Sequence, residues 1–70
     1  MEPALVHIGE NLRRLRVREA MTQAELAQKA GVTAATVARA ERNEREPNMS
    51  TLRKLANALG VHPSELIEDE

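Results

Sequence analysis

The 70-residue chain contains no phenylalanine, tyrosine, tryptophan or cysteine. Without aromatic rings it cannot stack on unpaired bases as single-strand binders do, so any nucleic acid it reads is duplex. Without cysteine it has neither a disulfide framework nor a thiolate metal site, which fits a reducing compartment. The histidines, His7 and His62, stand far apart with no ligand partners at metal spacing. They read as surface or capping residues, and neither a metal nor another cofactor is expected. No apolar run approaches the roughly 18 residues of a membrane helix, and the opening "MEPALVHIGE" lacks the basic stretch of a signal peptide. Catalytic sets are missing too: Ser50 and Ser64 have no histidine and acid at useful spacing, no carboxylates pair in a cleft, and no phosphate loop is present. An enzyme is not expected.

What is present is a chain the size of one domain, residues 1–70, whose small core must be built from leucine with Val, Ile, Met and Ala. The net charge is −1, but it is unevenly spread. Between Arg13 and Arg45 there are eight basic and four acidic residues, whereas the last six positions hold Glu65, Glu68, Asp69 and Glu70. That asymmetry reads either as a basic working face with an acidic tail at 68–70 or as ordinary variation of a solvated surface.

Apolar residues recur at helical spacing and nowhere in strict alternation, so the fold class is all-α. Ile8, Leu12 and Leu15 make one stripe of a first helix over about 5–19. In "MTQAELAQKAG", Thr22 and Glu25 have the spacing of a capping box, Leu26, Ala27 and Ala30 form the inner face, and Glu25 and Lys29 stand at i,i+4. Gly31 stops this second helix, because a residue just past a helix end often needs positive φ. Thr33 is an N-cap for a third helix over about 34–42, with Val37 and Ala40 inward and Asn43 tolerating a left-handed stop. Pro47 keeps "EREP" a loop. A fourth helix begins at Asn48 or Ser50, carries Leu52, Leu55, Ala56 and Leu59 inward, and ends at Gly60. "VHPSELI" reads as a short fifth helix with Pro63 at its first position and Leu66 and Ile67 turned to the core.

Two short helices joined by a tight glycine turn make a helix-turn-helix, in which the first helix braces across a DNA backbone and the second lies in the major groove. Here Ala27 supplies the small residue their crossing needs. The segments "IGENLRRLR", "TQAELAQKAGV", "TVARAER" and "TLRKLANALGV", with Pro47 between the last two, resemble the Cro/phage-repressor (XRE) family in order and spacing over residues 8–67. The resemblance implies a compact five-helix, lambda-repressor-like domain that binds specific double-stranded DNA and regulates transcription.

It also implies roles by position. Thr33, Ala34, Ala35, Thr36 and Arg39 match the groove-facing residues. Of these only Arg39 is long and charged; it either forks onto a guanine or remains a phosphate contact or solvated arginine. The alanines could meet thymine methyl groups or be plain helix surface. Gln23 matches a phosphate-binding glutamine, against the plain reading of a surface residue near a cap. Arg45 and Arg42 are further phosphate candidates, with Arg13 and Arg14 weaker, as residues of the first helix on its solvent side. Arg16 and Glu41 match a structural ion pair joining the first and third helices. The chain departs from the family at Ala20 and Asn43, where glycine is frequent, at Ala40, which is smaller than usual, and at Glu44 and Glu46, acids in a loop that should approach phosphates.

A single copy offers few contacts, so a homodimer is expected, joined through the fourth and fifth helices and apolar residues among Leu5, Val6, Val61 and Ile67. The alternative is a module with the same fold that binds a protein partner such as a toxin or polymerase. Either role implies a prokaryotic or phage protein of the cytoplasm, associated with the nucleoid.

Overall fold

Five helices follow directly from caps and apolar stripes in the computed structural model, which describes residues 8–67. They are α1 (Ile8–Arg18), α2 (Gln23–Ala30), α3 (Ala34–Glu41), α4 (Met49–Leu59) and α5 (Ser64–Ile67), and the described residues include no strand. Three N-caps work alike. Thr22, Thr33 and Asn48 accept from the amides of Glu25, Thr36 and Thr51, so α4 starts from Asn48 and not Ser50. Thr22 and Glu25 form the full capping box. This commits Glu25, which makes no ion pair with Lys29 among the described residues.

The helix ends share one device. After α1, α2, α3 and α4 the chain turns through Ala20, Gly31, Asn43 and Gly60, all at positive φ between 58° and 77°. In each case the amide of the next residue reaches back five positions: Met21 to Arg16 at 3.1 Å, Val32 to Ala27 at 2.9 Å, Glu44 to Arg39 at 2.9 Å, and Val61 to Ala56 at 3.0 Å. The left-handed residue bonds three back as well, which together is the Schellman motif and satisfies carbonyls the helix would otherwise leave open. Residues Met21, Val32 and Val61, just past three of these stops, pack against the core; Glu44, past the fourth, is exposed.

Leu12, Leu15, Leu26, Val37, Leu55 and Leu66 are fully enclosed and fill the centre, with Ala27, Ala40 and Ala56 where helices come close. Fully burying one such Leu or Val side chain contributes about 1.5–3 kcal/mol. The inward assignments of Val37, Ala40 and Leu66 agree with this core, but Ile67 does not: it is exposed, since a helix of four residues turns only one side to the core. The first helix begins at Ile8 among the described residues; Leu5 and Val6 lie outside them.

Small residues explain how α1 meets the end of α3. A Cβ on Gly9 would lie 2.5 Å from the Glu41 carbonyl oxygen and 2.9 Å from that of Ala40. In this narrow junction the Gly9 amide donates to Asn43 Oδ1 at 3.1 Å. Ala40 is buried, its small side chain suiting the close approach. Two residues further along α1, Asn11 Nδ2, from a buried side chain, donates to the Leu66 carbonyl at 3.0 Å and ties α5 to α1.

Candidate nucleic-acid interface

α2 and α3 are separated only by Gly31, Val32 and Thr33, and pack through Leu26, Ala27 and Val37. This turns the opposite side of α3 outward. Thr33, Ala34, Ala35 and Arg39 are exposed and Thr36 is half-buried, so all five residues expected to face the groove are accessible. The two threonine hydroxyls lie 2.9 Å apart, and Thr33 Oγ1 also takes the Thr36 amide. Whichever hydroxyl donates, the other keeps its O–H, so the pair still offers one donor and free lone pairs. Arg39 and Arg45 make no hydrogen bond or ion pair among the described residues. Together with Thr36, Asn48 and Thr51 they line a cleft of about 350 Å³ between α3 and the start of α4.

Behind this face stands a clamp. Arg16 Nε and Nη2 bond both oxygens of Glu41, at 2.6 and 3.0 Å, and Arg16 Nη1 donates to the Met21 carbonyl at 2.8 Å. Glu41 Oε1 also accepts from Gln23 Nε2 at 3.0 Å. Burial pushes the Glu41 carboxyl up, but bonds from Arg16 and Gln23, with the charges of Arg16 and Arg13, outweigh it and hold the group below the usual glutamate range. The expected ion pair is therefore present and links three helices, because Gln23 joins it. Its side chains are 13% and 5% exposed, so neither charge is available to a ligand.

The remaining candidates are divided. Gln23 stands at the first position of α2, with one amide hydrogen directed to Glu41 and the other without an acceptor among the described residues. Arg13 is exposed on α1. Arg14 is bonded to Asn11 Oδ1 at 3.2 Å. Arg42 is engaged as well: its Nε and Nη2 donate to the two oxygens of Glu44 at 2.8 and 3.2 Å. Reasoning from sequence missed Gly9 and the side-chain role of Asn43, which meet across 34 residues. The one available signal was a glycine inside an otherwise good helix.

Residues 12–66 match the helix-turn-helix protein family. The chain is 33% identical to the immunity repressor of Bacillus phage phi105, over 90% of this chain and 44% of that one, so it spans less than half of the phage repressor. It is 38% identical to an uncharacterised helix-turn-helix-type transcriptional regulator of Sinorhizobium fredii, over 86% of this chain and 78% of the other. Among solved structures, the restriction-modification controller protein C.AhdI of Aeromonas hydrophila superimposes with a TM-score of 0.84 at 35% identity, covering 89% of this chain and 94% of that one. The P22 c2 repressor bound to a synthetic operator matches with a TM-score of 0.84 at 33% identity, over 90% and 96% of the two chains. On the residues matched and the five-helix architecture, the chain belongs to the helix-turn-helix family, in its Cro/phage-repressor (XRE) type.

Proposed function

We propose that the chain regulates transcription by binding specific duplex DNA, with α3 in the major groove and α2 braced against the backbone. The observation that carries this reading is the accessible face formed by Thr33, Ala34, Ala35, Thr36 and Arg39, held outward by a closed core behind α3. The alanine methyls suit thymine methyl groups, the threonine pair offers a donor, and Arg39 has the fork that fits guanine O6 and N7. Gln23, Arg45 and Arg13 take backbone phosphates, while Arg42 does so only when it leaves Glu44. The P22 c2 repressor, similar over nearly its whole chain, binds an operator, which supports the same role here.

Two copies act together on two half-sites whose major grooves are about 34 Å apart. Of the apolar residues expected at such a pairing, Ile67 on α5 is exposed and Val61 half-buried, while Val17 and Met49 are exposed elsewhere in the sequence. Similarity to a restriction-modification controller favours a regulator of that general kind. Selection from a random duplex pool tests the proposal. Paired half-sites with T-rich steps beside a guanine are expected; single half-sites would overturn the dimer, and no enrichment at low salt would overturn DNA reading in favour of a protein partner.

A further inference from the structure

The loop after α3 contains an acid where the other helix ends place an apolar residue. Met21, Val32 and Val61 occupy the position just past the left-handed stop and pack on the core, whereas Glu44 occupies it after α3 and is turned to solvent. Its backbone is fixed, because its amide is bonded to the Arg39 carbonyl at 2.9 Å. From there the carboxylate receives the Arg42 guanidinium at two points, at 2.8 and 3.2 Å, the parallel fork with which arginine binds a phosphate. Arg42 is itself the residue that caps α3, at the edge of the reading helix. The charge of Arg39 also acts on Glu44. An exposed pair of this kind adds little to folding, and both side chains are more than half exposed.

We propose that Glu44 is an internal competitor for DNA phosphate: by occupying the Arg42 fork it lowers the affinity of the chain for duplex of any sequence and so raises the weight of base reading by α3. The inference rests on the DNA-binding function proposed above. It makes Glu44 a specificity-determining residue that touches no base.

The test uses a 20-base-pair duplex of arbitrary sequence and a salt titration. E44Q frees the fork, so binding strengthens and the slope of log K against log salt steepens by about 0.9, the value of one added phosphate contact. That slope means the advantage of E44Q over the unsubstituted chain shrinks about threefold between 50 and 200 mM salt. E46Q makes the same charge change in the same loop, at a residue with no ion pair among the described residues. It is expected to leave the slope unchanged. In an R42A background E44Q should bring no gain. Circular dichroism confirms that each variant retains its helices.

An equal gain from E44Q with and without Arg42, or equal slopes for E44Q and E46Q, would overturn the proposal by reducing it to general charge removal. If neither the unsubstituted chain nor E44Q binds duplex at low salt, the DNA-binding reading falls and this inference with it. Binding by both with identical affinity and slope would sink the Glu44 proposal alone.

Discussion

At the scale of single residues, two left-handed positions without glycine set opposite expectations. Ala20 has φ 59° and only a methyl group to set against a left-handed cost of about 1–2 kcal/mol. Ala20→Gly should therefore stabilise the fold, by about 0.5–1 kcal/mol once the greater freedom of unfolded glycine is deducted. Urea denaturation with an unchanged m-value would measure it. Asn43 has nearly the same φ, but its side chain also receives the Gly9 amide. Asn43→Gly should lose about 1 kcal/mol in spite of its easier backbone, because the enclosed amide is left without an acceptor. Asn43→Ala should lose more, since it gives up both advantages, and an equal or higher stability for the glycine variant than for the native chain would show that the Gly9 bond contributes nothing. Arg39 is the third residue to test. Arg39→Ala should weaken binding to a selected operator by about 1–3 kcal/mol and binding to random duplex far less; equal losses would reassign it to phosphate.

Among the elements, the joint between α1, α2 and α3 matters most. Replacing Glu41 by alanine leaves Arg16 facing a nearly closed site, at a cost of about 3 kcal/mol, the low end for breaking a buried pair because Arg16 retains the Met21 carbonyl. The pH dependence follows from the sign of the shift. Glu41 is held below its ordinary value, so its stabilisation is fully present above the ordinary glutamate range and is lost as pH falls through the depressed native value. The difference in stability between the native chain and E41Q should therefore narrow as pH is lowered from 7 into the acid range. A constant difference would contradict the assignment. Most of this architecture was legible in the sequence, because Thr22, Gly31, Thr33 and Gly60 act on their own neighbours and capping is local. Ile67 was misplaced because one turn of helix carries too little periodicity to fix a face. The Glu25 to Lys29 pairing failed because Glu25 had a nearer partner at the Thr22 amide.

For the molecule as a whole, the net charge of −1 conceals how the candidate arginines divide. Arg16, Arg14 and Arg42 are all committed to acceptors within the chain, while Arg13, Arg39 and Arg45 are not, nor, outside the candidate set, are Lys29, Arg53 and Lys54 among the described residues. If Arg39 meets a base, about two phosphates per protomer remain for Arg13 and Arg45, giving a salt slope near −2 for one copy and about −4 for a pair on its operator. A slope twice as steep would mean that the internal pairs open on binding or that Lys29, Arg53 or Lys54 also reach phosphates. The exposure of Thr33, Ala34, Ala35 and Arg39 was visible from residue order, whereas the occupancy of Arg42 was not, because it depends on where the chain points after α3. The junction of α1 with that same turn has a further consequence, for motion. The Gly9 amide, on α1, is held by Asn43 of the turn after α3, its one acceptor among the described residues. Its protection against hydrogen–deuterium exchange thus measures the free energy of parting α1 from the end of α3, one proton reporting on the support beneath that helix.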